Sequence, residues 1–591
     1  MSQYIAPVKD MLFVLNNLID KEPFNQHETF AEITPDLVEA ILEEAARFAN
    51  GELAPLNATG DREGCHFSEG VVTTPAGWQQ AYRHYCENGW VGVALPESIG
   101  GQHLPKYLYS AINEMWLSAN LAFILFQALT QGSADILLAK ASREIQQKYL
   151  PKLVSGEWSC CMSLTESQAG SDLGQVRARA ILHSDGSYRL VGQKIFITYG
   201  EHDLTDNILH LVLARIDGAP LGSKGLSLFI VPKILVNDDG SLGEPNEVLC
   251  TGIEHKTGLH GSPTCSISYG DKDGAVAELI GEANKGLEAM FILMNEARLS
   301  TGMQGVAIGE LAYQRAFEYS HERLQGRTDH SKGAPVPIIQ HPDVQRMILN
   351  LRSQTFALRA LGYVIAARLD MSAVDSGKQR KHLGFVSLMT PIFKAFSTET
   401  GHRLAGTAIQ VFGGMGFVEE TEIAQLMRDS RVTTIYEGTT GIQANDLVFR
   451  KLVADKGEAC RHWLNEVGVV AEQLGSLSRF AEEALALRYG IERAEQALAS
   501  ICEVDHLDVA ALQSGAVSFL ELLGTLASSW QMACVLITTD RYLAEGEDVE
   551  YHQNLVALAR HYFAHHTPTI ESFYQTFRQA DNGIKAYVFD R

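Results

Sequence analysis

Four short runs rich in β-branched and aromatic residues sit close together in the middle of this chain: Tyr188–Thr198, Ile208–Arg215, Leu226–Val231 and Cys265–Tyr269. Turn pairs such as Asp185-Gly186 and Asp239-Gly240 punctuate them, as expected for strands joined by tight connections. No helical period interrupts the runs, which disfavours a parallel sheet of βαβ units and predicts a compact β domain. On both sides the apolar period becomes helical. A β segment enclosed by long helical segments leaves few architectures open.

Upstream, Tyr4 to Leu15 reads as an arm that packs on something, because Met11, Phe13 and Leu15 alternate beside Leu12 and Val14. Thr34-Pro35 is an N-cap followed by proline at the first helical position, and Val38, Ile41, Leu42 and Ala45 share one face. A second helix runs through Trp78 and Tyr82 to Trp90, and Pro96–Gly101 breaks regular structure. Two more helices are expected from Leu108 to about Leu129 and from Ser133 to Leu150. Downstream, Met290, Leu293, Ala297, Val306 and Leu311 mark a long helix ending near Gly326. Further helices are expected at Pro342–Asp370, Leu383–Phe412 and from Gly441, lengths that bury their stripes as a bundle.

A chain of 591 residues is too long for one core and divides into roughly three to five domains. We expect an arm at 1–33, a helical domain at 34–158, the β domain at 159–281, a helical bundle at 282–451 and an additional helical domain at 452–591. With 48 Lys and Arg against 71 Asp and Glu, the net charge of −23 repels nucleic acid and anionic membrane. An anionic ligand therefore needs local Arg or Lys. Nine cysteines lie scattered without a C-x-x-C pair, which points to free thiols and a reducing compartment. Met1 to Leu15 lacks the basic and apolar regions of a signal peptide. Gly515–Ile537 comes nearest to a membrane span, but Glu521, Ser528, Ser529 and Gln531 make a buried helix the better reading. The expectation is cytoplasmic, without an integral membrane segment; peripheral membrane association stays open.

One carboxylate, Glu437, follows a β-branched run that ends at Tyr436 in the stretch Arg428–Gln443, R-D-S-R-V-T-T-I-Y-E-G-T-T-G-I-Q. Gly438 comes next, and Thr439 and Thr440 stand where they would cap a helix beginning near Gly441. A lone acid at such a turn can act as a general base, because its backbone is free to approach a ligand; a solvated turn residue is the competing reading. The chain has no G-x-G-x-x-G after a strand and no G-x-x-x-x-G-K-[ST], which disfavours Rossmann and P-loop nucleotide sites. Gly413-Gly-Met-Gly416 ends a helix instead of opening one. His561 and His565 share a helix face without an evident third ligand, so no metal is assigned.

Taken together, several segments carry more. They are Cys161–Asp172 (C-M-S-L-T-E-S-Q-A-G-S-D), Lys194–Thr198 (K-I-F-I-T), Asn295–Arg298 (N-E-A-R), Ser320–Gly326 (S-H-E-R-L-Q-G), Gln410–Gly414 (Q-V-F-G-G) and Arg428–Gln443. In this order and at these separations they resemble the acyl-CoA dehydrogenase flavoprotein family over about residues 36–450. The Tyr4-x-Ala6-Pro7 arm and the helical C-terminus resemble its larger bacterial branch, which includes long-chain and 3-methylthiopropionyl-CoA dehydrogenases.

That resemblance implies a mainly α fold with a β-barrel middle domain, a helical N-terminal domain, a four-helix bundle and a C-terminal helical extension. It implies FAD as cofactor. Met162, Leu164, Thr165, Gly170 and Ser171 match the loop that hydrogen-bonds the flavin ring, and Phe196 and Thr198 the strand covering its other face. Arg323 and Gln325, with Gln410, Gly413 and Gly414, match residues that reach the FAD pyrophosphate from a neighbouring subunit, and Thr439 and Gln443 match later cofactor contacts. Asn295 and Arg298, with Ser171 and Gly438, match substrate contacts.

Glu437 matches the catalytic base, with its own backbone N–H and a flavin hydroxyl as the implied donors to the thioester oxygen. A minority of the family carries the base on the long helix where this chain has Ala297; Glu296 beside it points about 100° away. Ser167 stands where proline is usual and Phe196 where tryptophan is usual. The implied reaction is α,β-dehydrogenation of an acyl-CoA to a trans-2-enoyl-CoA within fatty acid β-oxidation, with medium to long straight chains favoured over 3-methylthiopropionyl-CoA. Electrons would pass to an electron-transfer flavoprotein, and the assembly would be a homodimer or a dimer of dimers. An acyl-CoA oxidase on the same scaffold is the alternative enzyme, and a DNA-associated flavoprotein of the same fold is opposed by the net charge.

Overall fold

The computed structural model describes residues 4–27, 30–329, 333–502, 508–581, 584 and 587. In chain order the elements begin with α1 (Val8–Asn17), α2 (Glu22–Asn25), α3 (Pro35–Phe48) and α4 (Ala54–Glu63), then β1 (His66–Ser68) and β2 (Val71–Thr73). Four helices follow, α5 (Trp78–Glu87), α6 (Lys106–Ala119), α7 (Leu121–Lys140) and α8 (Arg143–Ser155). Strands β3 (Trp158–Ser163), β4 (Arg179–Leu182), β5 (Tyr188–Thr198), β6 (Asn207–Ile216) and β7 (Leu226–Pro232) open the β segment. It continues through β8 (Ile234–Val236), β9 (Leu242–Pro245), β10 (Val248–Ile253), β11 (Thr264–Tyr269) and β12 (Ala275–Ile280). The long helices are α9 (Gly286–Glu322), α10 (Pro342–Val374) and α11 (Gln379–Phe412), followed by α12 (Ile423–Thr433), α13 (Thr440–Asn445) and α14 (Val453–Asp455). The last five are α15 (Glu458–Ser476), α16 (Ala481–Cys502), α17 (Val509–Glu545), α18 (Val549–His565) and α19 (Thr569–Arg578).

These elements form two compact units, one of Arg47–Leu104 and Ala119–Ser300, the other of Met1–Ala46, Pro105–Ser118 and Thr301–Arg591, with boundaries inside α3, α6 and α9. We call them the barrel unit and the bundle unit.

In the barrel unit, five strands close on themselves: β5 pairs β12, β12 pairs β7, β7 pairs β6, β6 pairs β4, and β4 returns to β5. Closure removes exposed edges from this ring. Strands β11 and β10 extend it from β5, and β3 from β6. Most pairs are antiparallel, as the tight turns require, but β3 and β4 each run parallel to β6. The parallel pairs need no intervening helix of the βαβ kind, because the connections from β3 and β4 to β6 pass through β4 and β5. Leu209, Leu211, Leu213 and Ile230 on one face of these strands, and Phe229, Ala275 and Ala277 on the other, are all essentially without exposure, so both faces of the ring are covered.

Two boundaries upstream differ from the periodicity reading. Apolar residues continue through 108–129, yet the chain breaks at Asn120, whose side chain accepts the N–H of Phe123 and starts α7 afresh. Ser142 does the same for α8 through the N–H of Ile145. Capping side chains win there because they satisfy the otherwise orphaned N–H groups of a helix start.

In the bundle unit the N-terminal arm is helix α1, not an alternating strand; Met11, Val14 and Leu15 are fully buried, as they share a helical face. Helices α9 and α11 approach so closely that a Cβ at Gly305 would lie 2.2 Å from the Ser397 carbonyl oxygen. Helix α17 is mostly buried and packs on α10, α11, α15, α16, α18 and α19. Among the described residues two helices, α7 and α17, are long and apolar enough to cross a membrane, but 83% and 56% of their most apolar windows are buried inside the fold. Neither supports peripheral membrane association.

A charged network sits at the centre of this unit. Arg359, with no exposure, donates to Glu114 (2.9 and 2.6 Å) and to Glu310 (2.7 Å), and Tyr363 donates to Glu114 at 2.6 Å. Asp10 of the arm joins through Arg352 and the hydroxyl of Tyr551. Burial dominates at Glu114 and leaves it above the ordinary carboxylate range, whereas at Glu310 Arg359 and Arg352 overcome burial and hold it below.

Candidate active site

Helix α12 carries the β-branched residues Val432 and Thr433 and ends there; the chain then turns through 434–438. Helical contacts along α12 override the β propensity of that run. Glu437 follows in the left-handed region (φ 55°), and Gly438 continues it (φ 91°). Such a backbone is uncommon for a residue with a side chain and persists only where surroundings impose it. Here the surroundings are explicit. The fully buried Gln443 side chain donates to the Glu437 carbonyl at 2.8 Å, and the fully buried Lys394 ammonium donates to the Gly438 carbonyl at 2.8 Å. A Cβ at Gly438 would stand 2.7 Å from the Gln443 amide nitrogen, so both space and φ require glycine. Thr439 caps α13 by accepting the N–H of Ile442 at 3.3 Å, and Tyr436 donates its hydroxyl to Gln304. Glu437 itself is half-buried.

Other residues singled out in the bundle unit lie on its surface. Arg323, Gln325, Gln410, Gly413 and Gly414 are exposed. Gly413 ends α11 at φ 61°, and nothing lies within 4 Å of a Cβ built on Gly413 or Gly414, so a ligand can approach the backbone there. The helix stop read from the glycine-rich run is present, with open space beside it.

In the barrel unit the loop after β3 is anchored by a buried ion pair that sequence reasoning did not single out. Lys194 of β5, without exposure, donates to the Leu164 carbonyl at 2.8 Å and to Glu166 at 2.9 Å. Glu166 also accepts the N–H groups of Arg177 and Ala178 (2.7 and 3.0 Å) and the Gln168 amide (2.6 Å). Burial brings the Lys194 ammonium down to about 8, with Glu166 opposing the shift. The signal was present: Lys194 lies at even spacing from the inward-facing Leu190, a position where a cation needs a partner. Thr165, half-buried, gives its carbonyl to the N–H of Ile195 at 2.9 Å; Met162 is half-buried, Leu164 is buried, and Gly170 and Ser171 are exposed.

A bulge lies on the same strand. Between the pairs Cys265↔Ile197 and Ile267↔Lys194, β5 carries one residue more than β11, and Phe196 takes φ 60°. Bulges re-aim side chains. Phe196 is 57% exposed, an aromatic face on the strand end beside the half-buried Thr198. On α9, Arg298 is buried and Ala297 is 7% exposed with nothing to accept a proton; Asn295 lies on the same helix, its side chain outside those described.

These groups suit a flavin nucleotide. In the barrel unit Phe196 supplies an aromatic face and the loop through Gly170 an unobstructed backbone; in the bundle unit, taken by itself, Arg323 offers a cation and the glycines at 413–414 offer free backbone, each a group that a pyrophosphate can use. Models of the acyl-CoA dehydrogenase N-terminal, middle and C-terminal domains match residues 35–157, 161–271 and 284–452, and an acetyl-CoA dehydrogenase C-terminal-like model matches 463–586. The chain belongs to the acyl-CoA dehydrogenase family. It is an oxidoreductase whose cofactor, as throughout the family, is FAD. A 3-methylmercaptopropionyl-CoA dehydrogenase of Ruegeria pomeroyi is 42% identical over 94% of this chain and 95% of that one. The broad-specificity linear acyl-CoA dehydrogenase FadE5 of Mycobacterium tuberculosis is 33% identical over 99% of both. Among solved structures, Caenorhabditis elegans ACDH-11 in complex with C11-CoA superposes with TM-score 0.76 at 19% identity, covering 95% of this chain and 92% of that one. An acyl-CoA dehydrogenase of Bacillus anthracis complexed with FAD gives 0.74 at 21%, covering 96% and 92%. These two show the shared fold.

The paired histidines of α18 have another occupation. The His561 and His565 rings stack at 4.1 Å, and His561 is 3.0 Å from the Asn350 side-chain oxygen. Among the described residues no group of three or more His, Cys, Asp or Glu is placed to hold a metal.

Proposed function

We propose that this acyl-CoA dehydrogenase removes the α-proton of its thioester substrate with Glu437. The supporting observation is the turn itself: a half-buried carboxylate held in a left-handed conformation by two fully buried donors. An α-proton beside a thioester is a weak acid, so the base must be fixed and shielded as negative charge develops on the thioester oxygen. FAD, when bound, supplies the acceptor for the β-hydride. Ala297 leaves the helical position without a competing base.

Met162, Leu164, Thr165, Gly170, Ser171, Phe196 and Thr198 are our assignment for the flavin ring. Arg323, Gln325, Gln410, Gly413 and Gly414, with Thr439 and Gln443, are our assignment for the rest of the cofactor. Asn295, Arg298, Ser171 and Gly438 are assigned to the acyl-CoA. We retain the divisions near residues 34, 159, 282 and 452 as proposed domain bounds, a homodimer as the assembly and an electron-transfer flavoprotein as the electron acceptor.

For the acyl group, the full-length 42% identity favours 3-methylthiopropionyl-CoA over the straight medium and long chains expected from the sequence. A second reading, a broad range of linear acyl-CoAs, is favoured by the 33% identity over nearly the whole chain. An anaerobic panel of 3-methylthiopropionyl-CoA and straight acyl-CoAs, read by flavin bleaching, separates the two. The methylthio substrate should give the highest kcat/KM; a maximum at eight or more carbons would reverse the assignment. Glu437→Gln should lose about a hundredfold to ten-thousandfold in reduction rate while keeping its FAD. Substantial bleaching by that variant would remove Glu437 as the base.

A further inference from the structure

The turn at Glu437 is backed by two buried side chains. Lys394 sits in the middle of α11 without exposure, and its ammonium donates to the carbonyl of Gly438, 44 residues away. Gln443, also without exposure, donates to the carbonyl of Glu437 at 2.8 Å and reaches that of Gly438 at 3.3 Å. Two successive carbonyls are therefore drawn toward buried donors. In a trans peptide the N–H points opposite to the C=O, and no peptide bond among the described residues is cis. The N–H of Gly438 accordingly points away from Gln443, and that of Thr439 away from Lys394. Neither N–H has an acceptor within the chain among the described residues, although the next one, of Thr440, is taken by the Thr434 carbonyl at 3.2 Å.

We propose that Lys394 and Gln443 are positioning residues for the reaction: they hold Glu437 in its left-handed conformation and present the Gly438 and Thr439 N–H groups as free donors beside the base. This rests on Glu437 being the base. A buried lysine is a costly way to anchor a short helix, since a neutral donor avoids the desolvation of a charge. A fixed cation behind the peptide is worth that cost where backbone N–H groups must stay aligned while charge develops in front of them. The neighbouring contacts share this purpose: Thr440 donates to Glu399 at 2.6 Å and Tyr436 to Gln304, so the turn is tied on both sides.

The test is anaerobic stopped-flow reduction of the FAD-loaded protein by the best acyl-CoA of the panel, over a range of concentrations. Lys394→Met should lower the limiting reduction rate about tenfold to a hundredfold, the usual effect of losing a charge-assisted hydrogen bond, with half-saturation within about threefold. Lys394→Arg should recover part of that rate, because it restores a cationic donor. A Lys394→Met limiting rate within about twofold of the parent, with Glu437→Gln inactive, would overturn the proposal while leaving the base assignment intact. Activity in Glu437→Gln would instead remove the base assignment. Gln443→Met, measured on its FAD-loaded fraction because Gln443 is also assigned to the cofactor, should show the same fall in limiting rate if Lys394→Met does not fold, and a parental rate in that fraction also overturns the proposal. Hydrogen exchange of residues 434–444 in the apoprotein gives a readout independent of turnover. Lys394→Met should exchange there about tenfold faster, and unchanged exchange would count against the clamp.

Discussion

Replacing Lys194 by methionine separates the anchoring of the barrel unit's loop from the rest of the fold. The methionine keeps most of the apolar length and removes both donor bonds, leaving the Leu164 carbonyl and the Glu166 carboxylate, 8% and 5% exposed residues, to find other partners. Removing one member of a buried ion pair typically costs about 3–5 kcal/mol. Glu166 keeps three donors, the N–H groups of Arg177 and Ala178 and the Gln168 amide, which places the loss near the bottom of that range, about 3 kcal/mol. For a unit of this size that corresponds to a fall in Tm of about 6–12 °C. The assay is thermal unfolding of apoprotein and holoprotein by near-ultraviolet circular dichroism, with FAD affinity from flavin fluorescence. Lys194→Met/Glu166→Gln should be less destabilised than the sum of the single variants, because it leaves no unpaired charge. A Lys194→Met protein melting within about 1 °C of the parent, or strict additivity in the cycle, would refute this account. The effect also has a pH signature. The folded Lys194 titrates near 8 against 10.5 for the free group, so between those values the unfolded chain binds more protons and the parent gains stability as pH rises. Its margin over Lys194→Met should therefore widen from pH 8 to 10.

Two further perturbations address the bundle unit. Arg359→Met leaves Glu114 and Glu310 facing each other without their common cation and should cost about 3–5 kcal/mol, read as a fall in Tm of about 5–10 °C; a shift under 1 °C would mean the network contributes nothing. Asp370 accepts the N–H of Tyr107 at 3.0 Å, and burial raises its carboxyl to about 7, so the folded state binds more protons than the unfolded one between about pH 4 and 7. The parent should lose stability as pH rises across that window and Asp370→Asn should not; parallel pH curves would refute the assignment.

The local structure around the candidate site was largely legible because its signals act over a few residues. Thr439 caps α13, the glycine run at 413–416 ends α11, and the Asp185-Gly186 turn joins β4 to β5, each by contacts within a few residues. The breaks at Asn120 and Ser142 were local signals too, but the apolar period ran across them and masked the caps. The helix through Val432 and Thr433 was obscured by propensity, since β-branched residues favour strands only until packing decides otherwise.

Sequence order alone determined the succession of helical, β and helical segments and the single carboxylate at position 437, because side-chain period and turn chemistry act over neighbouring residues. Tertiary structure decided what holds that carboxylate. Lys394 meets a carbonyl 44 residues away, Lys194 meets Glu166 across 28, and the extra residue that aims Phe196 exists only relative to its partner strand. A buried cation must find an acceptor somewhere in the folded chain, but nothing local to it says which one. The turn that bears Glu437 is thus written in the sequence, together with the nearby Gln443 that donates to it, whereas the lysine that donates to the next carbonyl is brought there only by the fold.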